Sequence, residues 1–321
     1  MQYNNKAEQW GLWELELTGP EVDNPFVNVE LFAFFSIGGI RKKVRGFYDG
    51  NRIYRIRFCP ELTGEWVFET RSNVKALDGL KGGFTVADPS PSNHGPVQVQ
   101  GTYRFAYADG TPFIHLGTTC YAWLHQPEEL IEETLKTLSC NAFNKLRFCV
   151  FPKEYEYCRN EPDFYPYEGT ATDNWDFSRF NPAFFQHLEK GIMALQKLNI
   201  EADIILFHPY DNGHWGFDRM SSAADDLYLR YVVSRFAAYR NVWWSMANEF
   251  DLMREKSMTD WDRFLEIGRV DANDMSPCSQ DAKICIVATV DTPVAKATAK
   301  KIRNAVRIVI ERWSVPRSNV L

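Results

Sequence analysis

The sequence predicts an α+β multidomain chain in three parts. These are an immunoglobulin-like β-sandwich over residues 1–97, a parallel α/β barrel domain over 98–268 that stops after about four βα units, and an atypical tail over 269–321. Three observations carry this. Before residue 97, short strands recur at regular spacing with turn signals between them, the pattern of a sandwich. After it, four apolar strands alternate with four amphipathic helices, which argues for a parallel sheet joined by crossovers. Past Gly268 the composition shifts: Trp313 is the only aromatic residue there, and nine Lys or Arg stand against five Asp or Glu in a chain of net charge −6.

In the sandwich, residues 10–17 form a strand with the alternation Leu15-Glu-Leu17, and residues 27–35 form a second. Residues 44–47 lead into Asp49-Gly50, a strong hairpin dipeptide, and 53–58 alternate cleanly after it. Residues 63–66 turn into a strand over 67–70, and 83–86 close the set. The Pro-, Ser- and Asn-rich run over 87–96 reads as a linker.

The barrel opens with a hairpin from Tyr103 through Ala108-Asp-Gly110, feeding a first strand over 113–119. Pro127 sets a helix whose Ile131, Leu135 and Leu138 share a face. The second strand spans 142–150. A long aromatic loop over 151–180 follows, too apolar for disorder and long enough to suggest function. Asn181-Pro182 caps the next helix, with Phe185, Leu188, Ile192 and Leu195 on one face. The third strand covers 202–207, its helix 226–239, and Thr259 with Asp262 resembles a capping box for one more helix.

Composition narrows the function. An acidic chain without a basic patch argues against nucleic acid as partner. Seven scattered Cys without metal-like spacing suit a reducing compartment. No run is long and apolar enough to span a membrane and no apolar leader is visible, so the reading is soluble and cytoplasmic. Aromatic content of 15% suits sugar stacking, although most of these rings fill a large core.

The fourth strand, Val242-Trp-Trp-Ser-Met246, is a near-continuous apolar run that ends in Asn248, Glu249 and Asp251. In a parallel barrel the C-terminal strand ends form the active face. Alone, Asn-Glu reads as a helix cap followed by a solvated Glu. The aromatic strand before it and three similar strands upstream turn the reading toward a site. His208, Tyr210 and Asp211 follow strand three on the same face and would bind substrate or simply order their loop. Lys145 and Arg147 alternate with apolar residues in strand two, so they face the barrel mouth or pair with core carboxylates. Trp123 and Trp215 are stacking platforms or core. His208, Asp211 and His214 also allow a metal reading, though no fourth ligand or helical spacing supports it.

Further stretches carry a family resemblance: Asn24-Pro-Phe26, Val44-Arg-Gly-Phe-Tyr-Asp-Gly50, Arg57-Phe58, Gly117-Thr-Thr-Cys-Tyr-Ala-Trp123, Phe143-Asn-Lys145, Phe151-Pro-Lys153, Leu206-Phe-His-Pro-Tyr-Asp211 and residues 241–249. Over about residues 1–268 the chain resembles bacterial glycoside hydrolases that join a sandwich of unknown function to an apiosidase-like, clan A type TIM barrel. The resemblance implies a carbohydrate substrate, no cofactor and a retaining mechanism. Glu249 would be the general acid/base and Asn248 would bond a sugar hydroxyl. Such an acid must keep a proton near neutral pH, which burial beside aromatic rings favours. The nucleophile would sit on a late strand and has no assignment here.

The resemblance stops at Gly268, where the family continues through four more βα units. Residues 284–290 could add one strand and 295–313 one helix, with Asp291 the nearest substitute carboxylate; the tail reads as frameshifted. The expectation is an inactive chain whose open barrel exposes Phe148, Phe207, Trp244 and Met246. The competing readings are a non-catalytic carbohydrate-binding protein and a metal-dependent hydrolase.

Overall fold

The computed structural model describes residues 1–101, 104–156, 158–170, 174–275 and 284–287, those from 269 onward by backbone alone. The first part holds β1 (Gln2–Tyr3), β2 (Lys6–Glu8), β3 (Trp13–Thr18), a helical turn α1 (Pro25–Asn28), β4 (Leu31–Ile37), β5 (Ile40–Arg45), β6 (Phe47–Tyr48), β7 (Ile53–Phe58), β8 (Gly64–Ser72) and β9 (Lys81–Ala87). They form two sheets, ordered β1-β3-β7-β6 and β2-β9-β8-β4-β5. Alternation sets their inner faces: Trp13, Leu15 and Leu17 are buried while Glu14 and Glu16 are partly exposed. Rings from opposite sheets meet there. Trp13 stacks on Phe84 at 4.4 Å and Phe35 on Phe58 at 4.2 Å.

Several boundaries differ from the sequence reading. The strand expected over 27–35 begins only at Leu31, because Asn24 caps a helical turn, its side chain accepting from the Phe26 N–H at 3.2 Å. Residues 64–66, read as a turn, already belong to β8. The segment over 87–96 is tied down: the Ser90 N–H and the Asn93 amide each bond a Glu8 carboxylate oxygen at 2.8 Å.

The second part continues with β10 (Val97–Gln100), β11 (Arg104–Tyr107), β12 (Pro112–Phe113), β13 (Gly117–Thr119), α2 (Glu128–Ser139), β14 (Lys145–Cys149), β15 (Tyr167–Thr170), β16 (Asn174–Phe180), α3 (Pro182–Lys197), β17 (Glu201–Phe207), α4 (Ser222–Phe236), β18 (Val242–Asn248), α5 (Met258–Met275) and β19 (Ile284–Val287). Strands β13, β14, β17, β18 and β19 run parallel, side by side in chain order. The four expected barrel strands are thus joined by a fifth from within 284–290. The helix expected over 295–313 and Asp291 lie outside the described residues. The first barrel strand starts at Gly117, since Pro112–Phe113 pairs with β11 instead. Phe105 and Phe113 then close on Trp243, at 5.3 and 6.0 Å between ring centroids.

Capping fixes the helix starts. Asn181 accepts from the Ala183 N–H at 3.1 Å, and Ser221 from Ala224 at 3.3 Å, so α4 begins earlier than its apolar pattern suggested. The capping box of α5 uses Ser257 and Asp260, two residues before the pair read from sequence: Ser257 N–H donates to Asp260 at 2.8 Å and Asp260 N–H to Ser257 at 3.3 Å. The aromatic loop over 151–180 contains the β15–β16 hairpin, whose Tyr167 and Phe180 are buried.

The expected exposure of Phe148, Phe207, Trp244 and Met246 is corrected: all four are buried. Phe148 packs against Trp123 at 5.5 Å, and Phe207 packs on Phe264 of α5 at 4.9 Å and Tyr228 of α4 at 5.3 Å. Burial of these two by neighbouring elements does not depend on ring closure.

Sandwich and barrel share a buried ion network. Arg235 of α4 bonds Glu189 of α3 at 2.6 Å and Asp49 of the β6–β7 hairpin at 2.7 Å. Arg57 of β7 pairs with Glu189 and with Glu14 and donates to the Arg235 carbonyl at 2.9 Å.

Candidate functional site

The site builds up from inside the barrel. In β14, Lys145 and Arg147 alternate with buried Leu146 and Phe148. Register sets Arg147 beside Asp203 of β17, and Asp203 beside Trp243 of β18. Lys145 pairs with Asp203 at 2.9 Å and lies 4.6 Å over the Trp243 ring. Arg147 donates to the Ser245 hydroxyl at 3.0 Å, which donates to Asp203 at 2.7 Å. Burial works to raise the Asp203 pKa, but Lys145 and Arg147 outweigh it and hold the carboxyl below its ordinary value. This polar stack lies under the mouth.

Above it, β18 ends at Asn248 and the chain turns through Glu249 in the left-handed region, φ 49°. Tyr210, past the end of β17, donates its hydroxyl to Glu249 Oε2 at 2.6 Å. The Asn248 amide donates to that same hydroxyl and reaches Tyr121 Oη at 3.4 Å. Burial, reinforced by Glu249, pushes the Tyr210 pKa far up, so Tyr210 remains the donor. Lys153 completes the group, its ammonium 4.0 Å from the Tyr210 ring centroid and 4.1 Å from that of Tyr121.

The structure therefore brings Glu249, Asn248 and Tyr210 together, with Arg147 and Lys145 beneath. His208 is buried and serves the fold. It accepts from the Tyr210 N–H at 3.2 Å through Nδ1, faces the Phe151 carbonyl at 3.1 Å through Nε2, and stacks beside the Tyr210 ring. Burial pushes its pKa down to about 4, so the ring is neutral with Nε2 as donor. Asp211 is buried and accepts from the Phe217 N–H at 2.8 Å, ordering its loop. His214 turns to Glu161, whose hydrogen bond is the main cause of its raised pKa.

The metal reading of His208, Asp211 and His214 is corrected accordingly, since each is drawn to a different partner. No group of three His, Cys, Asp or Glu among the described residues has metal-holding geometry. The stacking role of the two tryptophans is also corrected. Trp123 is 3% exposed with its N–H on the Ile131 carbonyl, and Trp215 is 2% exposed with its N–H on Glu161. Neither offers a ring face to a sugar.

Tyr121, Lys153, Asp203 and Ser245 carry no mark of a role in the sequence alone. Tyr121 and Lys153 stand just past the first and second barrel strands, as Tyr210 stands past the third, and that shared position was the available signal.

Parallel strands joined by helices behind a β-rich amino-terminal region define a class: the chain is glycoside hydrolase-like, with a TIM-barrel domain. A family model for apiosidase-like catalytic domains matches residues 100–306, and one for a domain of unknown function, DUF5060, matches residues 6–73. The chain belongs to the apiosidase-like family.

Among solved structures, a candidate glycoside hydrolase from Bacteroides vulgatus ATCC 8482 is 45% identical, with a TM-score of 0.85, over 90% of this chain and 57% of that one. The chain thus spans little more than half the length of that relative. A family 5 glycoside hydrolase from the same organism is 13% identical, with a TM-score of 0.44, over 64% of this chain and 42% of that one. An endo-1,4-beta-mannanase from Rhizomucor miehei is 14% identical, with a TM-score of 0.39, over 60% of each chain. No curated protein matches the chain. No helix among the described residues is long and apolar enough to cross a membrane.

Proposed function

We propose that the chain carries the acid/base half of a retaining site that hydrolyses O-glycosidic bonds in an oligo- or polysaccharide, behind a sandwich of immunoglobulin type. One observation carries the reading: the Glu249 carboxylate is held at the tip of the fourth strand by Tyr210 at 2.6 Å, beside the Asn248 amide. A glycosidic oxygen leaves poorly until protonated, and Glu249 is the carboxyl placed to deliver that proton and then to take one from water. Asn248 and Tyr210 orient the carboxylate and offer polar groups to sugar hydroxyls. Arg147, Lys145 and Asp203 form a charged cluster deeper among the same strands.

A retaining mechanism also needs a nucleophilic carboxylate about 5–5.5 Å from the acid. None of the described residues is assigned that role.

The test is Glu249→Gln in any preparation that hydrolyses glycosides. Substrates with poor alkyl leaving groups should slow by about 10²–10⁴, while 4-nitrophenyl glycosides, whose leaving group needs no proton, slow far less. Equal loss on both classes would remove Glu249 from the acid role. Sugar binding that survives with no hydrolysis by any preparation would favour the non-catalytic alternative.

A further inference from the structure

Lys153 stands out because its close contacts are ring faces, while Cys149, Glu249 and Cys158 act on it through charge from farther off. It follows β14 at the mouth, half-buried, with its ammonium 4.0 Å from the Tyr210 centroid, 4.1 Å from Tyr121 and 4.6 Å from Tyr155. Among the described residues no carboxylate lies within ion-pair distance of it and no oxygen accepts its hydrogen bonds. An ammonium has three donors and no acceptor, and ring faces steady its charge without filling those donors with oxygen. Burial lowers its pKa, the cost of holding a cation among rings instead of in water. Tyr210 joins the two halves of the site, its face toward Lys153 and its hydroxyl bonded to Glu249.

We propose that Lys153 is a substrate-binding, specificity-determining residue: its ammonium donates to hydroxyl oxygens of the sugar unit seated beside Glu249. The inference rests on the glycosidase reading of the site. The three tyrosines pre-orient the ammonium, so little side-chain freedom remains to be lost when sugar binds. A sugar lacking the matching oxygen would leave a partly desolvated donor without an acceptor, the arrangement that discriminates most strongly between analogues.

The experiment measures binding rather than turnover, so that it separates from the role of Glu249. A panel of neutral 1-thioglycosides, which resist hydrolysis, and their monodeoxy analogues is titrated calorimetrically into wild-type protein, Lys153→Met and Glu249→Gln. Lys153→Met keeps the apolar stem and removes charge and donors. At least one thioglycoside should bind wild type about tenfold or more tighter than Lys153→Met, a factor within the range for a hydrogen bond to a charged group. One monodeoxy analogue should bind both proteins equally, a pattern that mere loosening of the cage would not give. Glu249→Gln should bind within a few-fold of wild type; a larger loss there, with the Lys153 pattern intact, counts against the site reading alone. Equal affinity of wild type and Lys153→Met for every probe, an equal penalty on every deoxy analogue, or no binding of any thioglycoside by wild type would overturn the proposal.

Discussion

Replacing Arg235 with Met tests how the sandwich and barrel hold together. Arg235 is fully buried and makes four polar contacts: Nε and Nη2 to Glu189 at 3.1 and 2.6 Å, and Nη1 to Asp49 at 2.7 Å and to the Tyr231 hydroxyl at 3.2 Å. Met approximates the stem but supplies none of the charge. Glu189 would keep Arg57 and the Tyr239 hydroxyl, and Asp49 would keep Arg55 and Gln186, so neither carboxylate is wholly abandoned. Each nevertheless loses a buried cation, and removing one member of such a network costs about 3–5 kcal/mol. With a urea slope of about 2–3 kcal/mol/M, the midpoint should fall by roughly 1–2.5 M. Because the network bridges α3, α4 and the β6–β7 hairpin, circular dichroism and tryptophan fluorescence should move together. A loss under about 1 kcal/mol, or two separated transitions of which only one moves, would refute the idea that these pairs join the two parts.

Four further outcomes are expected. Tyr210→Phe removes the donor to Glu249 and should lower the hydrolysis rate about 10–100-fold in an active preparation, with unfolding little changed. His208 is neutral in the fold, its pKa near 4 against about 6.5 unfolded, so its contribution is complete above about pH 6.5 and is lost as pH falls toward 4. Fully developed it is on the order of 3 kcal/mol, and His208→Gln should flatten the fall of melting temperature across that window. Trp123→Phe should lower stability by about 1–3 kcal/mol in urea titrations and leave sugar affinity unchanged, as a core residue would. Gly169→Ala should loosen the β15–β16 hairpin, seen as faster local hydrogen exchange, because Gly169 has φ 130° and an added Cβ would stand 2.1 Å from the Asn174 carbonyl oxygen.

Much of the scaffold was legible because it rests on local chemistry. The Ile53–Phe58 strand, the Asp49-Gly50 turn and the Asn181 cap are each written in a few adjacent residues, and each stands where the sequence reading put it. The Asn248–Glu249 pair was legible because an aromatic strand pointed to it. The fate of His208, Trp123 and Trp215 was not, since nothing next to a tryptophan in sequence says whether its ring will meet sugar or a helix. The Arg57–Arg235 contact, 178 residues apart in sequence, left no local mark at all. The surroundings of Lys153 leave no trace in sequence either, because its ring contacts come from three separate loops that meet only once folded.

Glu249 occupies a backbone conformation that suits glycine and resists most side chains. Left to folding alone, the position would be better filled by a residue with no side chain. Glu249→Gly should thus relax a conformation that disfavours L-residues by about 1–2 kcal/mol, partly offset by the greater freedom of glycine in the unfolded chain. The same turn that strains the backbone aims the carboxylate at the Tyr210 hydroxyl, so removing the side chain would exchange that hydrogen bond for an easier backbone.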